Sequence, residues 1–205
     1  MNWIYSIDER LFLWLNFDGG ALLDTAMEIV SGAAMWIPLY GFILYAVWRR
    51  YGWKSALAFV VCLALAMGIA DMLCGIFKHT GPLKNLWESF PGRQRPMFNI
   101  SVKALALDLG DVVHIPSTKH GLYGTVSAHA ATVAALALMS AAAIGKKWYT
   151  ATIVAATLLI CYSRIYKACH FPLDILLGLA VGLISGWLMY LLWKKLAKTI
   201  QKLSK

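Results

Sequence analysis

Long charge-free apolar runs constrain this chain more than any other feature. Ile29 to Trp48 is 20 residues without a charge, and Ile175 to Trp193 is 19. Ser55 to Ala70 and Trp148 to Ser163 add 16 each, while Gly121 to Gly145 carries no Asp, Glu, Lys or Arg and has His129 as its sole histidine. A hydrocarbon layer of about 30 Å is crossed by roughly 20 helical residues, or fewer with interfacial Trp and Tyr anchors. The expected fold class is therefore all-α, a polytopic membrane helical bundle. Five transmembrane helices are expected over about 22–48, 55–77, 123–144, 148–168 and 173–193.

Composition agrees with that expectation. Apolar residues make up 60% of the 205 positions and charged residues 14%, far from the usual soluble balance. The net charge of +9 comes with few charges in total and 13% aromatics, which argues against a nucleic-acid partner. The length fits one membrane-embedded domain over residues 1–205. Cys62, Cys74, Cys161 and Cys169 have no CxxC spacing, so neither a metal site nor a disulfide framework is expected.

Residues 1–17 alternate apolar and charged positions and are too short to span, which predicts an interfacial helix within 1–20. Asp8 and Glu9 precede its apolar part and no basic n-region exists, so a signal peptide is not expected. The segment 79–122 is polar and holds Gly81, Pro82, Pro91, Gly92, Pro96 and Pro116, the composition of a turn-rich loop. Three basic clusters set the orientation: Arg49, Arg50 and Lys54; Lys146 and Lys147; and Lys194, Lys195, Lys198, Lys202 and Lys205 in a tail over 194–205. An odd number of spans puts all three on one side, which the positive-inside rule makes cytoplasmic. The 79–122 loop and the turn near His170 then face outward.

Ionisable groups gather at those outward ends: Lys78, Arg93, Arg95, Ser127 with His129, Arg164, and His170 with Asp174. Such groups in membrane spans default to a functional role. The set suits a phosphate ester, since Arg and Lys hold non-bridging oxygens and offset developing charge. Free N–H groups around Ser127 and Ala128 at a helix start also favour an anion. Of two histidines, a neutral one attacks phosphorus and a protonated one supplies the leaving oxygen with a proton. Asp174, four residues after His170 and beyond Pro172, is placed to accept a hydrogen bond from one imidazole nitrogen and fix the tautomer. It also begins a stripe of Gly178, Gly182 and Gly186 of the kind that faces neighbouring helices. His170 is the expected nucleophile and His129 the acid.

Ser163-Arg164-Ile-Tyr-Lys-Ala-Cys-His170-Phe-Pro-Leu-Asp174 matches SRx5Hx3D at every fixed position. This is the third motif of the type 2 phosphatidic acid phosphatase family. Val126-Ser127-Ala128-His129 resembles that family's second motif, PSGH, and Arg95-Pro96 resembles the end of its first, Kx6RP. The resemblance covers roughly residues 55–190. It implies a helical bundle with an extracytoplasmic active site that dephosphorylates lipid phosphates without a metal or other cofactor, through a phosphohistidine. On this chain it makes His170 the nucleophile, Asp174 its orienting carboxylate and His129 the general acid. Arg95, Arg164 and Ser127 become phosphate ligands, with the N–H of Ala128 beside them. Strict first-motif spacing falls on Glu88, so the lysine is Lys78 or Lys84, and Lys78 is preferred because it ends a span.

The implied substrate is a lipid phosphate or diphosphate of the bacterial inner membrane, taken from the periplasmic or extracellular side. Undecaprenyl diphosphate, phosphatidylglycerol phosphate, phosphatidic acid and lipid A phosphate all fit, and the oligomeric state is left open. A lipid phosphotransferase on the same scaffold, and a non-catalytic lipid-binding or transport protein, are the alternatives. Outside the motifs, Arg93, Lys103, Lys119 and Lys167 are read as headgroup contacts, as are His79, His114 and His120. Asp24 and Glu28 either line a substrate path or satisfy hydroxyls across a helix interface. Asp71 is expected to pair with Lys78 or to make an interhelical hydrogen bond. Asn99-Ile100-Ser101 fits a glycosylation acceptor that is expected to be idle.

Overall fold

Small side chains decide how this bundle packs. In the computed structural model, which describes residues 3–116 and 120–203, the chain forms α1 (Trp3–Leu15), α2 (Gly20–Ser31), α3 (Ile37–Tyr51) and α4 (Trp53–Lys78), then α5 (Ile100–Asp108), α6 (Ala128–Ile144), α7 (Lys147–Tyr166) and α8 (Pro172–Leu203). Lys119 and Lys205 lie outside the described residues. The most extensive packing joins α4, α6 and α8, with α7 against α6. Helix α6 contributes buried Ala130, Ala131, Ala134, Ala135 and Ala143. Helix α8 answers with the expected stripe: a Cβ on Gly178 or Gly182 would collide with the backbone of Ser127 or Ala131. Lipid tails are as apolar as the side chains, so close backbone packing rather than apolar burial contributes much of the attraction between membrane helices.

Among the described residues, three helices are long and apolar enough to cross a membrane: Trp53–Lys78, Lys147–Tyr166 and Pro172–Leu203. Gly20–Ser31 and Ala34–Tyr51 make a fourth span when counted together, but they bend by 64° at their junction. Ala128–Ile144 is apolar and shorter, at 17 residues. The expected continuous span over 22–48 is therefore broken. Gly32 adopts an extended conformation (φ −82°, ψ 144°), and Pro38, in the first turn of α3, has no N–H with which to continue a helix from α2.

Other boundaries move as well. Helix α6 begins at Ala128 because the Ser127 hydroxyl accepts from the Ala130 N–H as an N-cap. Pro172 opens α8, and this helix runs on to Leu203, so most of the expected tail is helical. The 79–122 loop contains α5, capped by the Asn99 side chain, which accepts from the Val102 N–H and the Ser101 hydroxyl. Asn99, the first residue of the Asn99-Ile100-Ser101 triplet, is thus a helix cap.

Two buried clusters mark the ends of the bundle. At the basic end, Trp193 stacks edge-on with Tyr51 and Phe59 and donates its indole N–H to the Ser55 carbonyl. Arg50 donates to the carbonyls of Ala143 and Ile144, placing a cation on the negative end of α6. At the other end, Phe12 of α1 packs on Phe171, beside Met97, Val102 and Ile165. Helix α1 is thus docked: Asp8 and Glu9 are buried rather than turned to water.

The α6–α8 contact gives a direct test. Gly182→Ala should lower the melting temperature of detergent-purified protein, since overpacking typically costs about 1–3 kcal/mol. Gly68→Ala, where an added Cβ meets nothing within 4 Å, should leave it unchanged or slightly raised.

Candidate active site

The end of the bundle opposite the basic clusters collects the end of α4, the start of α6, the end of α7 and the start of α8. Ala168 adopts a left-handed conformation (φ 50°), which lets the five residues between α7 and α8 reverse direction and turn His170 inward. His170 is 1% exposed. Its Nδ1 lies 2.8 Å from the Gly124 carbonyl, which can only accept, so Nδ1 carries the proton and Nε2 keeps its lone pair. Arg95 Nη1 sits 3.3 Å from Nε2 and donates to it.

Gly124 reaches His170 through a short antiparallel clip. Gln94 bridges Tyr123, the Arg95 N–H donates to the Leu122 carbonyl, and the Gly124 N–H donates to the Arg93 carbonyl. A Cβ at position 124 would press on Arg95 Cγ at 2.8 Å and His170 Nδ1 at 3.4 Å. Only glycine admits this approach. The expected Asp174–His170 hydrogen bond is not formed: Asp174 Oδ2 is 3.7 Å from Nδ1 and accepts from the Phe171 N–H at 2.9 Å instead. Asp174 therefore shapes the turn that carries His170, while the backbone of Gly124 sets the tautomer.

A cavity of about 640 Å³ opens in front of His170 and is lined by Lys78, Arg95, Ala128, His129 and Arg164. Lys78, Arg95 and Arg164 are all at least nine-tenths buried, and among the described residues none has a carboxylate in salt-bridge range. Arg164 Nη1 donates to the Ser31 hydroxyl, while its Nε is buried with no partner. Burial, then the neighbouring Lys78, Arg95 and Arg164, hold His170 well below its ordinary value near 6.5. Burial also lowers Arg95.

Of the two lysine candidates, Lys78 lines the cavity and Lys84 is exposed outside it. Ser127 is fully buried as the cap of α6, and the cavity is lined by its neighbours Ala128 and His129. Several residues read as headgroup contacts have other partners. Arg93 pairs with Asp8 and lies over the Phe171 ring at 3.5 Å. Lys167 is buried and paired with Glu28 on the cavity wall. His114 and the Tyr166 hydroxyl both meet Asp24, which makes Asp24 an interhelical acceptor. His79 donates to the Phe90 carbonyl, while Lys103 is exposed.

Two further residues at this end were not assigned to the site from the sequence. His120 lines the cavity with Nε2 buried and unpartnered, and burial and nearby cations push it down to about 4. Asp8 accepts from the Leu173 N–H, so α1 caps the helix that follows the reactive turn. Asp8 was visible in the sequence, but its partners lie 85 and 165 residues away.

The model of the PAP2 superfamily matches residues 56–198. Over 202 residues the chain is 31% identical to a lipid A 4'-phosphatase of Bacteroides thetaiotaomicron, covering 98% of this chain and 83% of that protein. A lipid A 4'-phosphatase of Porphyromonas gingivalis is 31% identical over 190 residues, covering 93% of this chain and 74% of its own. The fold is similar to the crystal structure of Aquifex aeolicus LpxE, with TM-score 0.61, 21% identity and coverage of 88% and 92%. It is also similar to the first transmembrane PAP2 type phosphatidylglycerolphosphate phosphatase from Bacillus subtilis, with TM-score 0.66, 18% identity and coverage of 95% and 88%. An unpaired cationic cavity around a buried histidine, on a bundle of apolar helices that matches these proteins along nearly its whole length, makes this chain a multi-pass membrane phosphatase of the PAP2 superfamily.

Proposed function

We propose that the chain removes a phosphate from an acylated phosphosugar of the lipid A type, through a phosphohistidine and without a metal. One observation carries the chemistry: three buried cations, none in salt-bridge range of a carboxylate among the described residues, line one cavity with a neutral histidine whose unprotonated Nε2 accepts from Arg95. The two relatives named lipid A 4'-phosphatases support the substrate. In the proposed reaction, Lys78, Arg95 and Arg164 hold the non-bridging oxygens, with the Ala128 N–H at the start of α6. His170 Nε2 forms a bond to phosphorus as the bond to the sugar oxygen breaks, and His129 gives that oxygen a proton. Water then attacks the phosphohistidine, giving a proton back to His129 and releasing inorganic phosphate. Asp174 positions the His170 turn, and Ser127 positions the start of α6.

The proposed topology has five spans in one domain, with the bent Gly20–Ser31 and Ala34–Tyr51 pair first and Ala128–Ile144 third. Helix α1, with Trp3, Ile7 and Trp14 exposed, lies at the outer surface. The basic turns face the cytoplasm, so the cavity opens to the periplasmic side of a bacterial inner membrane.

Phosphate release from lipid A by detergent-purified protein tests the reading. Activity should persist in EDTA, be inhibited by vanadate, and fall by at least about 10³-fold in His170→Ala. Activity that needs a divalent cation, or that survives in His170→Ala, contradicts it. Lys78→Ala should cost roughly 10- to 1,000-fold in turnover, with Lys84→Ala near wild type. The reverse order would move the lysine role to Lys84.

A pH prediction follows from the buried imidazole. His170 is held below about 6.5 in the folded state, so the unfolded chain takes its proton first. Its contribution to stability is complete above that value and is lost as pH falls. Melting temperature should therefore drop more between pH 7 and 5 in wild type than in His170→Gln.

A further inference from the structure

Asp71 is a carboxylate with no hydrogen-bonded or salt-bridged partner among the described residues. It lies on α4, seven residues before Lys78, and is exposed. Among the described residues no hydrogen bond or salt bridge involves it, so the expected pairing with Lys78 is absent. The separation along the helix is about 10 Å by rise alone. Unpaired ionisable groups in membrane spans are costly, and a negative charge near a phosphate site weakens anion binding. Neither helix packing nor phosphate binding accounts for this residue.

Its position does. Asp71 lines the catalytic cavity and also a second enclosure of about 270 Å³. Ser31, Gly32, Ala128 and His129 line both as well, so the two adjoin. Beyond Asp71 the second enclosure turns apolar, with Val30, Trp36, Met67, Val133, Leu136 and Ile160 on its walls. It passes beside the break between α2 and α3, where the 64° bend parts the first span. Across the two cavities a ligand would meet three chemistries: cations, an acceptor-only carboxylate on the shared wall, and an apolar groove. Glu28, the other carboxylate on the cavity wall, is already held by Lys167. The free acceptor is Asp71, and an ionised carboxylate is satisfied only by donors.

We propose that Asp71 is a specificity-determining residue that accepts a hydrogen bond from a hydroxyl or amide N–H of the sugar unit joining phosphate to acyl chain, with that acyl chain in the adjoining groove. This rests on the phosphatase reading above and deepens it. A diacylglycerol phosphate has its remaining hydroxyls esterified and brings no donor to that point. Its binding would leave the carboxylate desolvated and unpaired, which is how a site built for a hydrogen bond rejects an analogue lacking one.

The test compares wild type, Asp71→Leu and Asp71→Asn on two detergent-solubilised lipids of matched acyl length. One is an N-acylated, phosphorylated glucosamine with a free hydroxyl, and the other is phosphatidic acid. Asp71→Leu should lower the ratio of kcat/KM for the sugar lipid over phosphatidic acid by roughly 10- to 100-fold, mainly through KM. Asp71→Asn, whose side-chain carbonyl still accepts, should retain an intermediate ratio, and melting temperatures check that both variants fold. An unchanged ratio in both variants, or equal losses on both lipids, overturns the role of Asp71 while leaving the phosphatase reading intact. A wild type that releases phosphate from neither lipid overturns the phosphatase reading and the proposal with it.

Discussion

Positive charge held without a protein counter-ion is the constraint on which the rest of this structure depends. Lys78, Arg95 and Arg164 converge on one cavity; of the carboxylates nearby, Asp71 forms no salt bridge among the described residues and the others are committed elsewhere. Asp8 is spent on Arg93 and the Leu173 N–H, Glu28 on Lys167, and Asp174 on the Phe171 N–H. Partial burial makes such a field strong, because few water dipoles remain to screen it. Burial first, and this field after it, hold His170 neutral, so the cluster that would receive an anion also helps preserve the lone pair that would attack it. Binding and nucleophilicity thus draw in part on the same cations.

Holding mutually repelling cations together requires a rigid frame, and the frame is mostly backbone. Helices α6 and α8 approach until Gly178 and Gly182 leave no room for a Cβ. The clip around Gln94 and Tyr123 holds Arg95 and Gly124 against His170 without help from long side chains. Helix α1 closes the arrangement from outside, with Phe12 on Phe171 and Asp8 on the first turn of α8. Each device fixes a main-chain position, which suits a reaction that depends mainly on positioning.

Much of this was legible because it is local. The spacing of Arg164, His170 and Asp174 puts one residue at the end of a helix, one in a turn and one in the next helix, and the structure has them there. The Gly178–Gly182 stripe is a helical periodicity and carried its packing partner's requirement with it. The bend near Gly32 was not legible, because an apolar run reads the same whether its helix is straight or broken. The tautomer-setting group escaped too: Gly124 acts through a carbonyl, and every residue has one.

Sequence alone determined that the chain enters a membrane as helices and that its motif residues gather at one end of them. Apolar length and local spacing suffice for that, since both act within a single helix or turn. Tertiary structure decided which charges stay unpaired. Asp71 and Asp24 look alike in the sequence, yet Asp24 meets Tyr166 and His114 while Asp71 faces open cavity. Lys167 and Lys78 likewise differ only in whether a carboxylate lies opposite. A charge's role depends on what another helix brings within a few ångströms, and no property of its own segment encodes that distance.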